Sequence, residues 1–341
     1  MQRTAIIACY GALHLDKNHL IRCYKYYGAL HRSDHFILYS LLSDLYKKTM
    51  NLKIKISVSI VLSIFYVQIL RGQTSADSIV LTQTKWMVED LGSGVLWHHF
   101  HFNEHQIFNS NQNVHFLKFK NNSRNTPLKF ADLEDDSLRL TSAFALQNKA
   151  LAAVNGSFFD IKKGNAVDLI KVNGSTLDTT ILVNGKLGFH QKSAIVLHKN
   201  KLKILRGDTS DVHWDRHLKQ KNVMVTGPLL RYENAVLPLP KTAFNDNRHP
   251  RTCACVTNNN AVILLTVDGR SAESQGVSLF ELAFLMKILD CKDAINLDGG
   301  GSTTMYIQNK GVVNMPCDNK KFDHEGERKV SNIIFIESLK R

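Results

Sequence analysis

The stretch from Ala261 to Ser302 constrains the fold more than any other part of this chain. Ala261–Val267 is a continuous apolar run that reads as a buried strand, and it ends in Asp268-Gly269-Arg270. Ser278 then opens a helix, with Glu281 three residues on completing a capping box. Leu279, Leu282, Ala283, Leu285, Met286 and Leu289 give that helix an apolar face. A second strand, Ala294–Leu297, ends in Asp298-Gly299-Gly300-Gly301-Ser302. Strand, helix and strand in this order predict a βαβ unit with parallel strands. Such strands present their carboxyl ends on one edge, where ligands bind in α/β sheets. Both glycine motifs are therefore expected at one site, with Asn155-Gly156 beside them.

The rest of the chain is rich in strand patterns. Val95–Phe102 and Val114–Lys120 read as strands joined by a loop containing Asn109, Asn111 and Asn113. Leu140–Lys149 reads as a helix, and Leu151–Val154 as a short buried strand before Asn155. Ile170–Val172, Thr180–Val183, Ala194–Leu197, Lys201–Leu205, Thr252–Thr257 and Val330–Ile336 read as further strands. Asn173-Gly174 and Asn184-Gly185 are hairpin turn signals. The expected fold class is α/β in a mixed α+β sense: a mixed, twisted β-sheet with packed helices and one βαβ unit carrying the site.

Three consecutive glycines after an aspartate let a backbone approach a ligand closely. Their N–H groups can form a nest for an anion, with hydroxyls from Ser302 and Thr303 alongside. A plain tight turn would need one or two glycines. The loop lacks the Lys of a P-loop and the spacing of a dinucleotide fingerprint. No GxSxG elbow exists for a serine hydrolase. Arg248-His249-Pro250-Arg251 places two arginines at a proline turn before a strand, which suits bidentate binding of phosphate or carboxylate. Solvated surface arginines are the plain alternative.

With 44% hydrophobic residues and 6 prolines in 341, disorder and low-complexity classes are excluded. The net charge of +13 invites a nucleic-acid reading, but +7 of it falls in residues 1–73. Beyond that segment no Lys/Arg-rich stretch with interleaved aromatics occurs, so no nucleic-acid partner is expected. Lys53 and Lys55 precede an apolar run from Ile56 to Leu70, and Ser75 and Ala76 follow. This is the pattern of an export signal, too short for an ordinary membrane span. Arg71 keeps an uncleaved anchor as the alternative. The expected organisation is a doubtful upstream segment 1–49 with the true start at Met50, a signal peptide 50–76, and one catalytic domain 77–341 that is periplasmic or extracellular, with no stable membrane span after signal cleavage.

Four cysteines lie in the exported part: Cys253, Cys255, Cys291 and Cys317. They allow two bridges in an oxidising compartment, or buried free thiols. Cys253 and Cys255 alternate on one strand, face the same way and are not expected to pair with each other. His98, His99, His101 and His105 alternate across a strand without a completing carboxylate set, so solvated or satisfied histidines are expected there and no metal site.

Seven motifs occur in the order seen in a known family. They are Asn155-Gly-Ser-Phe-Phe-Asp160, Gly227-Pro-Leu-Leu230, Arg248-His-Pro-Arg-Thr252, Val267-Asp-Gly-Arg270, Ser278-Leu-Phe-Glu-Leu-Ala283, Asn296-Leu-Asp-Gly-Gly-Gly-Ser-Thr-Thr304 and Arg328-Lys-Val-Ser-Asn332. From about residue 92 to the end, the chain resembles the phosphodiester glycosidases, in their bacterial form. Two departures are Asp290 where a glycine would end the helix, and Cys253 and Cys255 where small apolar residues are usual.

The resemblance implies hydrolysis of a sugar-1-phosphodiester, for example an N-acetylglucosamine-1-phospho-sugar, to free sugar and phosphomonoester. The substrate would be a phosphorylated glycan: an envelope or exopolysaccharide phosphodiester, or a host glycan. It implies Asp298 and Asp268 as the catalytic candidates, Asp298 preferred because the glycine loop carries it. Arg251, Arg270, Gly299, Gly300 and Gly301 would hold the phosphate, with Ser302 and Thr303 adding hydroxyls. Asn155 would hold a sugar hydroxyl or acetamido group. Glu281 is expected to cap its helix rather than catalyse. No cofactor is implied, although a structural Ca²⁺ is compatible with the sequence. The alternatives are a non-catalytic envelope or exopolysaccharide carbohydrate-binding protein, and a metal-dependent phosphodiesterase, which would need denser Asp/His clusters.

Overall fold

A computed structural model describes residues 76–338, apart from 122–123 and 134–136. The segment 1–49 and all but the last residue of the expected export signal lie outside the described residues. Among those described, no helix is long and apolar enough to cross a membrane.

Three antiparallel sheets form the body. The largest has eight strands in the order Met87–Asp90, Val95–Ile107, Ser110–Lys120, Ala261–Val267, Arg251–Thr257, Cys291–Asn296, Leu229–Tyr232 and Ala235–Val236. A five-stranded sheet orders Lys201–Arg206, Ser193–His198, Asn222–Val225, Ile170–Val172 and Ser175–Asp178. Another orders Gly311–Val312, Met305–Ile307, Ala150–Asn155, Asn332–Glu337 and Leu128–Asp132.

The expected βαβ unit does not form with paired parallel strands. Arg251–Thr257 lies between Ala261–Val267 and Cys291–Asn296 and pairs antiparallel with both. The two outer strands still point the same way, and the Leu279–Ile288 helix connects them. Arg251–Thr257 takes the place between them because it makes a tight antiparallel hairpin with Ala261–Val267, closed by residues 258–260. That local pairing outcompetes a direct parallel one.

Side-chain alternation assigns each face of the large sheet to its own core. Ala254, Leu264 and Ile295 join a cluster with Ile195 and Met224 of the second sheet and Val154 and Ile334 of the third. Cys253, Cys255, Ile263, Leu265 and Ala294 face the other way, against Leu279, Leu282, Leu285 and Met286 of the helix. Truncating a fully buried side chain here, such as Leu282, costs about 2–5 kcal/mol. The expected capping box is present, with Ser278 accepting from the Glu281 N–H and Glu281 from the Ser278 N–H. Asp290 takes the left-handed conformation, φ 62°, at the position where glycine usually ends a helix.

Cys255 and Cys291 form a disulfide between neighbouring strands beneath this helix, while Cys253 and Cys317 are free and buried. Burial pushes the Cys253 thiol far up. The loop expected between the first long strands is a tight turn at Phe108-Asn109, both with positive φ, and Asn111 and Asn113 belong to the strand. Asn173-Gly174 turns between Ile170–Val172 and Ser175–Asp178 as expected. Thr180–Val183 is not a strand; Val183 and Lys186 make only an isolated bridge around Asn184-Gly185.

Candidate active site

Strand direction collects the site at one sheet edge. Arg251 begins its strand opposite Val267, and Cys253 lies opposite Asn296. Asp268 and the loop 297–301 leave the ends of the two outer strands at that same edge. The third sheet supplies Asn155 from the end of Ala150–Asn155, and the Asp298 N–H donates to the Gly156 carbonyl at 3.0 Å.

Asp298 stands half-buried at the head of the glycine loop. Its Oδ1 accepts the Gly299 N–H at 2.9 Å. Burial pushes its pKa up to about 6, opposed by the facing Ser302 hydroxyl, the Gly299 N–H, the positive charge of Arg328 and the His190 imidazole when protonated. Such a carboxyl changes protonation near neutral pH, as acid–base and charge-stabilising groups do.

Asp268 is placed differently. It is 1% exposed, and both of its oxygens are occupied by protein donors. Asn314 Nδ2 donates to Oδ1 at 2.7 Å; Asn113 Nδ2 and the Met315 N–H donate to Oδ2 at 2.8 and 3.0 Å. Burial pushes its pKa up to about 6 as well, opposed chiefly by these three donors. The arrangement ties three loops together and keeps the carboxyl out of contact with solvent.

Asn155 is fully buried and is likewise spent on the protein. Its Nδ2 donates to the Asp298 backbone carbonyl at 2.7 Å, and its Oδ1 accepts from Thr252 Oγ1 at 2.6 Å and the Thr304 N–H at 3.2 Å. The expectation that it holds a sugar group gives way to a clamp under the glycine loop.

The loop N–H groups are also partly consumed. Gly299 donates to Asp298 and Gly300 to the Pro250 carbonyl at 2.8 Å, which leaves Gly301 N–H without an acceptor among the described residues. The glycines are needed for close approach instead. A Cβ on Gly299 would lie 2.7 Å from the Pro250 carbonyl oxygen, and one on Gly300 would lie 2.9 Å from Arg270 Nη2. One on Gly301 would lie 1.8 Å from Asp318 Oδ1 and 2.5 Å from Arg328 Nη2. Ser302 and Thr303 are buried beneath.

Three guanidinium groups surround this loop. Arg270 is exposed, and its one hydrogen bond among the described residues goes to the Cys317 sulfur at 3.7 Å. Arg328 makes a bidentate pair with Asp318 at 2.7 and 2.9 Å. Arg251 is 1% exposed and fastened to the carbonyls of Val277, Phe244 and Asn247, with its guanidinium 4.8 Å from the Phe244 ring centroid. Burial, then Arg270, push its pKa down to about 10. Arg248 points elsewhere, into an ion pair with Glu281.

Of the histidines on the Val95–Ile107 strand, His101 Nε2 lies 2.8 Å from the Glu273 carbonyl oxygen. His99 stacks on Trp97 at 4.3 Å and on His115 at 5.7 Å. Among the described residues no group of three or more His, Cys, Asp or Glu is arranged to hold a metal ion.

Sequence reading missed His190 and Asp168. His190 sits in the turn Phe189–Gln191, its ring edge-on to Phe158 at 5.0 Å and its Nε2 3.4 Å from Oδ2 of fully buried Asp168. The one local signal was an aspartate preceding an apolar strand, too common to single out.

A region of 68 residues, 20% of the chain, is 32% identical to the SPbeta prophage-derived uncharacterized protein YomE of Bacillus subtilis, covering 11% of that protein. Over 204 residues, 54% of the chain, it is 24% identical to bovine N-acetylglucosamine-1-phosphodiester alpha-N-acetylglucosaminidase, covering 36% of that enzyme. The chain thus spans only a minor part of either relative. The catalytic domain of the zebrafish enzyme of that name, in a structure auto-inhibited by its pro-peptide, superposes with a TM-score of 0.56 at 20% identity, over 72% of this chain and 83% of that one. A family model described as phosphodiester glycosidase matches residues 148–337, which include Asn155, Asp168, His190, Arg251, Asp298 and Arg328. With more than half of its length matched, the chain belongs to the phosphodiester glycosidase family.

Proposed function

We propose that this chain is an exported hydrolase that cleaves the glycosidic C–O bond of a sugar-1-phosphodiester, releasing free sugar and a phosphomonoester. The observation that carries the reading is the setting of Asp298: a carboxyl at a glycine loop flanked by Arg270 over Gly300 and Arg328 against Gly301. A phosphomonoester is a good leaving group near neutral pH, so a strong general acid is less needed than in ordinary glycoside hydrolysis. Cationic donors for the departing phosphate matter more. Arg270 and the Gly301 N–H meet the phosphate, and buried Arg251 adds its field from below. The Asp298 carboxylate stabilises positive charge at the anomeric carbon as its bond to the phosphate oxygen breaks. Asp268 and Asn155 position the loops.

Export is supported by the disulfide between Cys255 and Cys291, a bond that persists in oxidising compartments. The test is a panel of sugar-1-phosphate diesters, including the methyl diester of N-acetylglucosamine 1-phosphate, with product analysis. Free sugar and phosphomonoester are expected from at least one member, and their loss in Asp298→Asn. Binding of glycans without turnover of any diester would favour a carbohydrate-binding protein instead.

A further inference from the structure

The hydrolysis proposed above requires a group that takes a proton from the attacking water. With Asp298 facing the carbon, that role is open, and this inference rests on that reading.

His190 has the surroundings the role demands. Its side chain is 33% exposed, while Asp168 behind it is fully buried. Asp168 Oδ1 accepts from Gln191 Nε2 at 2.6 Å. Its Oδ2 has no hydrogen bond among the described residues, and neither has His190 Nε2; the two buried atoms face each other at 3.4 Å. A buried carboxylate without a Lys or Arg partner is costly, and an imidazole set against it is the arrangement that offsets the cost. The contact is long for a hydrogen bond, but such contacts tighten when substrate is bound. With Nε2 facing Asp168 Oδ2, Nδ1 is the nitrogen left to accept a proton.

The turn that carries His190 is built into the site. Gln191 Oε1 accepts the Gly188 N–H at 2.7 Å, and the Gln191 carbonyl accepts from Trp214 Nε1 at 3.0 Å. A Cβ on Gly227 would lie 2.6 Å from the His190 carbonyl oxygen, and the Gly227 carbonyl accepts from Asn296 Nδ2 at 2.9 Å. Asn296 ends the strand that leads to Asp298. On the other side, Phe158 packs on the His190 ring two residues after Gly156, whose carbonyl holds the Asp298 N–H. His190 faces Asp168 and lies within electrostatic reach of Asp298.

We propose that His190, oriented by Asp168, is the general base of the reaction. The water oxygen bonds to the anomeric carbon while one of its protons passes to His190 Nδ1. The bond from that carbon to the phosphate oxygen breaks, and its electron pair leaves with the phosphate. The imidazolium so formed is balanced by Asp168 and returns its proton to solvent as products depart. His190 is the catalytic residue and Asp168 the positioning residue.

The test compares the full-length protein with His190→Ala and Asp168→Asn on a sugar-1-phosphodiester that the unaltered protein turns over. His190→Ala should lower kcat by about 10²–10⁴-fold with KM within about threefold, and added imidazole should restore part of the loss. Asp168→Asn should lower kcat without raising KM, and should shift the pH at which kcat is half-maximal. Unchanged kcat in His190→Ala overturns the proposal, as does a loss confined to KM. A loss that imidazole does not relieve in a variant with an unaltered circular dichroism spectrum also overturns it. If the unaltered protein cleaves no diester, the hydrolase reading itself fails; if it cleaves one and His190→Ala keeps pace, only the role of His190 falls.

Discussion

The side-chain amide of Asn155 donates to the backbone carbonyl of Asp298 at 2.7 Å, so the residue that opens one motif holds the backbone of the residue that opens another. The two come from different sheets. The same Asn155 accepts from Thr252 and Thr304, and thereby fixes the glycine loop between them. Asn155→Ala should leave those two buried donors without an acceptor and cost about 2–4 kcal/mol. Loosening Asp298 should lower kcat more than it raises KM. Urea denaturation and steady-state kinetics on the same variant check both parts.

Activity should depend on pH through Asp298. Its pKa is pushed up to about 6, chiefly by burial, and the proposed role needs the ionised form. Turnover should therefore fall about tenfold per pH unit well below 6 and level off above it. In Asp298→Asn nearly all activity should be lost.

Stability carries the opposite sign. Asp268 titrates near 6 in the fold, above the usual carboxylate value, because burial disfavours its charge. The folded state thus binds a proton that the unfolded chain has already released. Stability should be highest below about pH 4 with respect to this group and should decline between about pH 4 and 6, by at most about 3 kcal/mol. Asp298 adds a term of the same direction. Half-buried His98 and buried His115, whose pKa values are pushed down to about 4 and about 3, act in the opposite direction over the same range. The check is therefore the difference between urea midpoints of the unaltered protein and Asp268→Asn from pH 4 to 8. A difference that does not change with pH would mean that the Asp268 carboxyl is not shifted.

Arg270→Ala should raise KM for a phosphodiester by about tenfold to a hundredfold, the worth of a charge-assisted contact. The side chain is exposed and its one hydrogen bond among the described residues is to a sulfur, so the melting temperature should hardly move. An unchanged KM would remove Arg270 from phosphate binding.

The Cys255–Cys291 disulfide closes a loop of sequence separation 36. Reduction should destabilise the protein by about 3–4 kcal/mol in the chain-entropy picture. Native alkylation should spare Cys253, which is fully buried with its thiol held protonated. Thermal melts with and without reductant, and mass spectrometry before and after alkylation, read both effects.

Local chemistry made part of this legible in the sequence. Ala261–Val267 is a strand with the expected ends because a continuous apolar run stops at Asp268. The Ser278–Glu281 capping box and the Asn173-Gly174 turn depend only on near neighbours, and both are present. What depended on distant partners was not legible. Nothing local shows that Arg251–Thr257 slips between the two strands of the expected βαβ unit. Asn155 and Asp268 read as substrate-facing because their residue types suit that task. Their hydrogen-bond partners lie 97 to 149 and 46 to 155 residues away in sequence, and those partners turn them inward. His190 and Asp168 meet only through the second sheet, which brings the turn after Gly188 against the segment before Ile170.

The most direct measurement is turnover of a sugar-1-phosphodiester in water enriched in oxygen-18. Cleavage at the glycosidic C–O bond places the label in the released sugar and none in the phosphomonoester. Label in the phosphate would mean attack at phosphorus and would contradict the role given to Asp298.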